Sequence, residues 1–316
     1  MVETASENLA DRLRRDLTDE IAVALGFSPK GLARRIIGPI VHLPAMRFAE
    51  WLAEFDRLVT EKGTRDAAQA LLARLVAGVC AHGVDRVPSE GPLIFACNHP
   101  GAVDGLAALS QMPRGDIKVF ATGQPILRRF PCGKQHLIYV PRPGEGERMK
   151  PVREAIRHME TGGSVLIMPG GHVEPDPAIL PGAREDLDGW SPSLELLLRR
   201  VPESRLQVTI ISGVLEPRWL RHPLVRRRRG SREKQLLAEF LMIIRQALLR
   251  RREPLVPDVT FGQPVTAAQL QPNGTSGPLM PALIEHARSV LDEHMARIGA
   301  AASGELCQPP MARVGL

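Results

Sequence analysis

The residues of this chain best suited to chemistry lie in one short stretch, Asn98-His99-Pro100-Gly101-Ala102-Val103-Asp104-Gly105. An apolar run, Leu93 to Cys97, precedes it and a helical pattern follows, so it reads as strand, tight turn, helix. His99 then falls at the strand's end and Asp104 about one turn into the next element. Five residues apart is a poor fit to a helix face, but across a turn bent by Pro100 and Gly101 the carboxylate can reach back to one imidazole nitrogen. An Asp so placed selects the tautomer and leaves the other nitrogen as a base toward a hydroxyl. A His-Asp pair with no enzyme nucleophile suits attack by a substrate alcohol on an activated acyl group. The same spacing also serves a purely structural helix cap. Cys97, two residues before His99, is a conceivable thiol nucleophile, although a cysteine on such a strand is ordinarily packed.

Two further strand ends follow the same pattern. Leu137-Ile138-Tyr139-Val140-Pro141-Arg142 is an apolar run ending in an arginine, and Val165-Leu166-Ile167-Met168 runs into Pro169-Gly170-Gly171-His172. In an α/β sheet the C-terminal ends of the strands gather along one edge, where ligands bind. His99, Arg142 and Gly170 to His172 are therefore expected to share a cleft: a base, a cation suited to phosphate, and a glycine turn with free backbone N–H groups.

Taken together, Asn98-His99-x4-Asp104, Tyr139-Val140-Pro141-Arg142, Ile167-Met168-Pro169-Gly170-Gly171 and the strand from Val208 to Pro217 resemble the glycerolipid acyltransferases, the lysophospholipid and glycerol-3-phosphate acyltransferases. The resemblance spans roughly Val84 to Pro217, and its specific block is N-H-x4-D. It implies transfer of a fatty acyl group from acyl-CoA or acyl-carrier protein to a hydroxyl of a glycerol phosphate or lysophospholipid. His99 would be the general base and Asp104 its orienting partner. Asn98, Gly101, Arg142, Gly170, Gly171 and His172 would be substrate-binding, with Arg142 on the acceptor's phosphate and N–H groups near Gly101 or Gly171 on the oxyanion. It implies no metal and no cofactor beyond the acyl donor. The third block departs from the family's F-P-E-G: Gly170 stands where the family has Glu, so the acceptor grip is altered. His172, Glu174 and Arg184 are the nearest polar residues that could compensate. The same dyad acting on water would make a thioester hydrolase. A third reading is a basic lipid- or nucleic-acid-binding protein with a degenerate site.

The elements that must position these residues alternate. Strands are expected at Leu93 to Cys97, Ile117 to Phe120, Leu137 to Val140, Val165 to Met168, Leu206 to Ile211 and Val259 to Phe261. Met149, Val152, Ile156 and Met159 give an amphipathic helix, as do Leu236, Leu237, Phe240, Leu241, Ile243, Ile244, Ala247 and Leu248, and a terminal helix covers Leu283 to Ile298. The fold class is α/β, a mixed sheet covered by helices. Residues 1–83 read as a helical N-terminal subdomain, 84–300 as the α/β acyltransferase domain and 301–316 as a flexible tail. Leu9, Leu13, Leu17 and Ile21 repeat at helical spacing, and Pro29, Pro39 and Pro44 are expected to divide the region into several helices.

The chain has 316 residues and a formal charge of +6, and its 44% hydrophobic content excludes disorder. Arg218 to Arg252 holds twelve Arg or Lys against Glu233 and Glu239, a local +10 that leaves −4 elsewhere. Arg226 to Arg229 at its centre is expected to meet an anionic membrane surface or the acyl carrier's phosphates. Aromatic residues for base stacking are few there, so nucleic acid is not the expected partner. The four cysteines form neither a disulfide scaffold nor a close metal-ligating pair, and His82, His136, His158, His222 and His294 have no metal-like spacing. With no signal segment and no run near the roughly 20 apolar residues of a spanning helix, the expected location is cytoplasmic and peripheral to the membrane.

Overall fold

A computed structural model describes residues 9–19, 32–122, 126–141, 147, 149–271 and 277–302. In chain order it contains helix α1 (residues 9–19), α2 (Leu32–Lys62) and α3 (Thr64–Leu72), then strand β1 (Cys80–His82). There follow β2 (Leu93–Cys97), α4 (Asp104–Gln111), β3 (Ile117–Thr122), the single turn α5 (Gly133–His136) and β4 (Leu137–Val140). After these come α6 (Met149–Glu160), β5 (Ser164–Ile167), the single turn α7 (Ala183–Asp186), α8 (Ser193–Arg200) and β6 (Arg205–Ser212). The chain then forms α9 (Pro223–Arg226), α10 (Ser231–Leu249), β7 (Asp258–Phe261), β8 (Val265–Thr266), α11 (Ala267–Leu270) and α12 (Met280–Ala302).

The strands make one mixed sheet in the order β1-β7-β6-β2-β5-β3-β4, with β8 beside β6. β6, β2, β5, β3 and β4 are parallel, whereas β7 and β8 run antiparallel to β6 and β1 is parallel to β7. Strand alternation sorts the core into two layers. Leu93, Phe95 and Cys97 of β2 face α3, α4 and α10 together with Phe261. Ile94 and Ala96 of the same strand face α6, α8 and α12. β2 is buried along its length, as a central parallel strand must be. Among the described residues no helix is long and apolar enough to cross a membrane.

Three expectations are corrected. Pro39 and Pro44 do not divide the N-terminal region, because α2 runs unbroken from Leu32 to Lys62. An internal proline costs a helix about 3 kcal/mol; here Val41, Ala45, Ala49 and Ala53 pack on Leu9, Leu13 and Leu17 and offset it. Cys80–His82, assigned to the helical part, is a strand held by backbone pairing to β7, whose residues lie some 180 positions away and leave no local trace. On α10 the buried residues are Gln235, Leu237, Ala238, Glu239, Met242, Gln246 and Ala247, whereas Leu236 and Leu248 of the expected apolar face are exposed. Ile21, Pro29 and residues 303–316 lie outside the described residues.

Phe95 is fully buried at the centre of β2, in edge contact with Phe261 at 6.4 Å between ring centroids. Phe95→Ala is expected to lower unfolding stability by about 3–5 kcal/mol, read as a fall in denaturant midpoint at unchanged slope.

Candidate functional site

The site grows out of the end of β2. Asn98 is buried, and its side-chain amide donates to the Ile211 carbonyl at 2.9 Å while its Oδ1 accepts the Ile211 N–H at 2.7 Å. Both ends of the amide therefore pair the chain beyond β2 with β6, so Asn98 holds the turn in place. His99 follows, its side chain 28% exposed. Its Nδ1 lies 2.7 Å from Asp104 Oδ2, and the same oxygen accepts the Gly101 N–H at 2.8 Å. Asp104 opens α4 and is 2% exposed. Since a carboxylate accepts, Nδ1 carries the proton and Nε2 is the nitrogen left for a hydroxyl.

The turn after β5 is tied to this one. The Glu174 N–H donates to the His99 carbonyl at 2.7 Å. Asp176, fully buried, accepts the Gly213 and Val214 N–H groups at 3.0 and 2.9 Å and so joins this segment to the end of β6. α10 clasps both turns from one side. Gln235 Nε2 donates to the carbonyls of Pro100 at 2.5 Å and Glu174 at 2.9 Å, and Glu239 Oε1 accepts the Ala102 N–H at 3.0 Å.

Two of the glycines exist to admit carboxylates. A Cβ on Gly101 would lie 1.5 Å from Glu239 Oε1, and one on Gly170 would lie 2.3 Å from Glu174 Oε1. The carboxylate of Glu174 thus occupies the space in which a side chain at 170 would begin, and it accepts the Trp190 indole N–H at 3.2 Å. Of the three residues considered to compensate for Gly170, Glu174 is the one at that spot. Arg184 is turned to the surface in an ion pair with Asp292 at 2.5 Å, and His172 is paired with Asp186 at 2.8 Å.

The electrostatics follow from three carboxylates near one imidazole. Burial pushes His99 down, but the charge and hydrogen bond of Asp104, helped by Glu239 and Glu174, outweigh it and raise His99 to about 9. Burial, with the neighbouring Asp186, raises Glu174 to about 8; burial, with Asp104, raises Glu239 to about 8. Cys97 is fully buried and burial drives its thiol far up, so it is strand packing and no nucleophile.

The structure thus sets His99, Asp104 and Gly101 against the turn that carries Gly170 and Glu174, with His172 of that turn paired to Asp186; Arg142 lies outside the described residues. Of the N–H groups expected to be free at the glycine turns, those of Gly101, Ala102 and Gly171 are engaged. Gly101 and Ala102 donate to Asp104 and Glu239, and Gly171 donates to the Met168 carbonyl at 3.1 Å. The reason is that each tight turn closes on its own acceptors before any ligand arrives. Gln235, Glu239 and Asp176 were not anticipated. Gln235 and Glu239 leave one signal, an i, i+4 polar pair inside an apolar helix. Among the described residues the side chains with clustered metal-ligating atoms are Cys80, His82 and Asp258, on the far strands β1 and β7.

Gly101→Ala is expected to destabilise the protein by about 1–3 kcal/mol through overpacking. In a Glu239→Ala background the same change is expected to cost clearly less, a non-additivity measurable by denaturant unfolding of the four species.

Among curated proteins none matches the chain's sequence. A solved structure to which it is similar is the 1-acyl-sn-glycerophosphate (LPA) acyltransferase PlsC of Thermotoga maritima, at 13% identity, 95% coverage of this chain, 98% of that one and a TM-score of 0.45. The family model described as Acyltransferase matches residues 78–185. That segment holds His99, Asp104 and the turn from Pro169 to Glu174.

Proposed function

We propose that the protein moves a fatty acyl group from acyl-CoA or acyl-carrier protein to a hydroxyl of a glycerol phosphate or lysophospholipid. The observation that carries this reading is Asp104 Oδ2 accepting from His99 Nδ1, which leaves Nε2 of a partly exposed imidazole as the base, while the neighbouring Cys97 is buried in the strand. Nε2 takes the alcohol proton as the hydroxyl oxygen attacks the thioester carbonyl. The C–S bond breaks, and the leaving thiolate recovers the proton from the imidazolium that Asp104 stabilises. The acceptor's phosphate is assigned to Arg142 on the family resemblance.

The basic segment supports a peripheral site of action on an anionic membrane, on the cytoplasmic face. Arg226, Arg227 and Arg229 are exposed, and Leu224 and Leu236 beside them are 43% and 44% exposed. Protruding leucines amid arginines suit a surface that offers phosphates above acyl chains. The patch is smaller than the sequence count, because Arg218 and Arg245 both turn onto the fully buried Glu253.

Thiol release from long-chain acyl-CoA, with and without lysolipids, tests the reaction. Release that depends on acceptor is expected; release indifferent to acceptor would establish hydrolysis instead. His99→Ala should lower turnover about 10²–10⁴-fold with the fold retained. His99 must lose its proton before it can accept one, so kcat/KM should rise with pH toward about 9. Glu239→Gln removes a negative charge that raises His99 and should move that rise to lower pH. Replacing Arg226, Arg227 and Arg229 with Ala should weaken binding to phosphatidylglycerol vesicles roughly a hundredfold, in a sedimentation assay where phosphatidylcholine vesicles and DNA bind neither protein.

A further inference from the structure

Cys80 and His82 alternate on β1 and so project to the same face, and the parallel register sets Cys80 beside Asp258 of β7. Cys80 Sγ lies 3.2 Å from His82 Nε2, which lies 3.8 Å from Asp258 Oδ1, and one ligand atom from each residue falls within 4.8 Å of the others. A tetrahedral zinc ion, with bonds of about 2.3 Å to sulfur and about 2.0–2.1 Å to nitrogen or oxygen, holds its ligand atoms about 3.3–3.6 Å apart. The side chains are already close to that spacing. We propose that Cys80, His82 and Asp258 form a zinc site of their own, with the fourth position left to water.

The ligand set selects the metal: a thiolate, an imidazole and a carboxylate together suit zinc better than magnesium or calcium. Thiolate and carboxylate supply two negative charges against the dication. The site is open enough to load, with His82 and Asp258 side chains 20% and 23% exposed. It also has the outer support a metal site needs. Arg297 of α12 donates to Asp258 Oδ1 at 2.8 Å and orients the carboxylate, and its positive charge holds the affinity to a modest level. Behind it, buried His294 is bonded to Thr260 at 2.6 Å and Ser212 at 2.8 Å, so it is committed to the core. The cluster sits on β1 and β7, and β6 lies between it and β2, the strand that leads to His99. Binding would join the short edge strand β1 to β7, and the thiol proton would pass to solvent.

The test uses the full chain dialysed against zinc chloride or cobalt chloride. One zinc per chain is expected by elemental mass spectrometry. Cobalt should give four-coordinate visible bands with a thiolate-to-metal charge-transfer band, lost in Cys80→Ser and weakened in His82→Ala. Zinc should also slow alkylation of Cys80 relative to Cys132, a measurement that needs no variant to fold. A wild-type protein that retains no more metal than Cys80→Ser, or whose Cys80 alkylates at the same rate with and without zinc, would overturn the proposal.

Discussion

One carboxylate oxygen, Oδ2 of Asp104, receives the imidazole N–H of His99 and the backbone N–H of Gly101. The rest of the site is arranged around the consequences of that shared acceptor. It sets the tautomer of His99 with one bond and closes the turn with the other. It also places a negative charge in a buried setting, where further charges are costly. Glu174 and Glu239, buried nearby, respond by holding their protons to about 8, while His99 is raised to about 9.

Both acids enter the site by the same device. Glu239 approaches from α10 into space left by Gly101, and Glu174 folds back into space left by Gly170. In each case a glycine with no Cβ makes room for a carboxylate supplied from elsewhere. At position 170 the carboxylate standing where a side chain would begin comes from four residues later. Gln235, one helical turn before Glu239, bonds the carbonyls of Pro100 and Glu174 and binds the two turns into one body.

α10 thereby connects two regions that are separate in the chain. It begins two residues after Arg229, on the exposed basic segment, and within its first two turns it reaches the loop of His99. The helix spends its buried face on Gln235, Glu239 and Gln246 and leaves Leu236 and Leu248 exposed. A reading by hydrophobicity finds Leu237 and Ala247 but misses Gln235, Glu239 and Gln246, which are buried beside them because they hydrogen-bond to other segments.

Alternation and spacing in the chain were enough for the central strands, the α6 and α12 helices and the reach of Asp104 back to His99, because each depends on neighbours within a few residues. Leu93 to Cys97 is apolar on both faces whatever packs on it, and Pro100-Gly101 bends the chain wherever it lies. Three features were settled only in the folded molecule: the strand at Cys80–His82, the survival of α2 through Pro39 and Pro44, and the entry of Gln235 and Glu239 into the site. Each rests on partners far away in sequence, and pairing or packing energy supplied across such distances overrides local preference without leaving a local pattern.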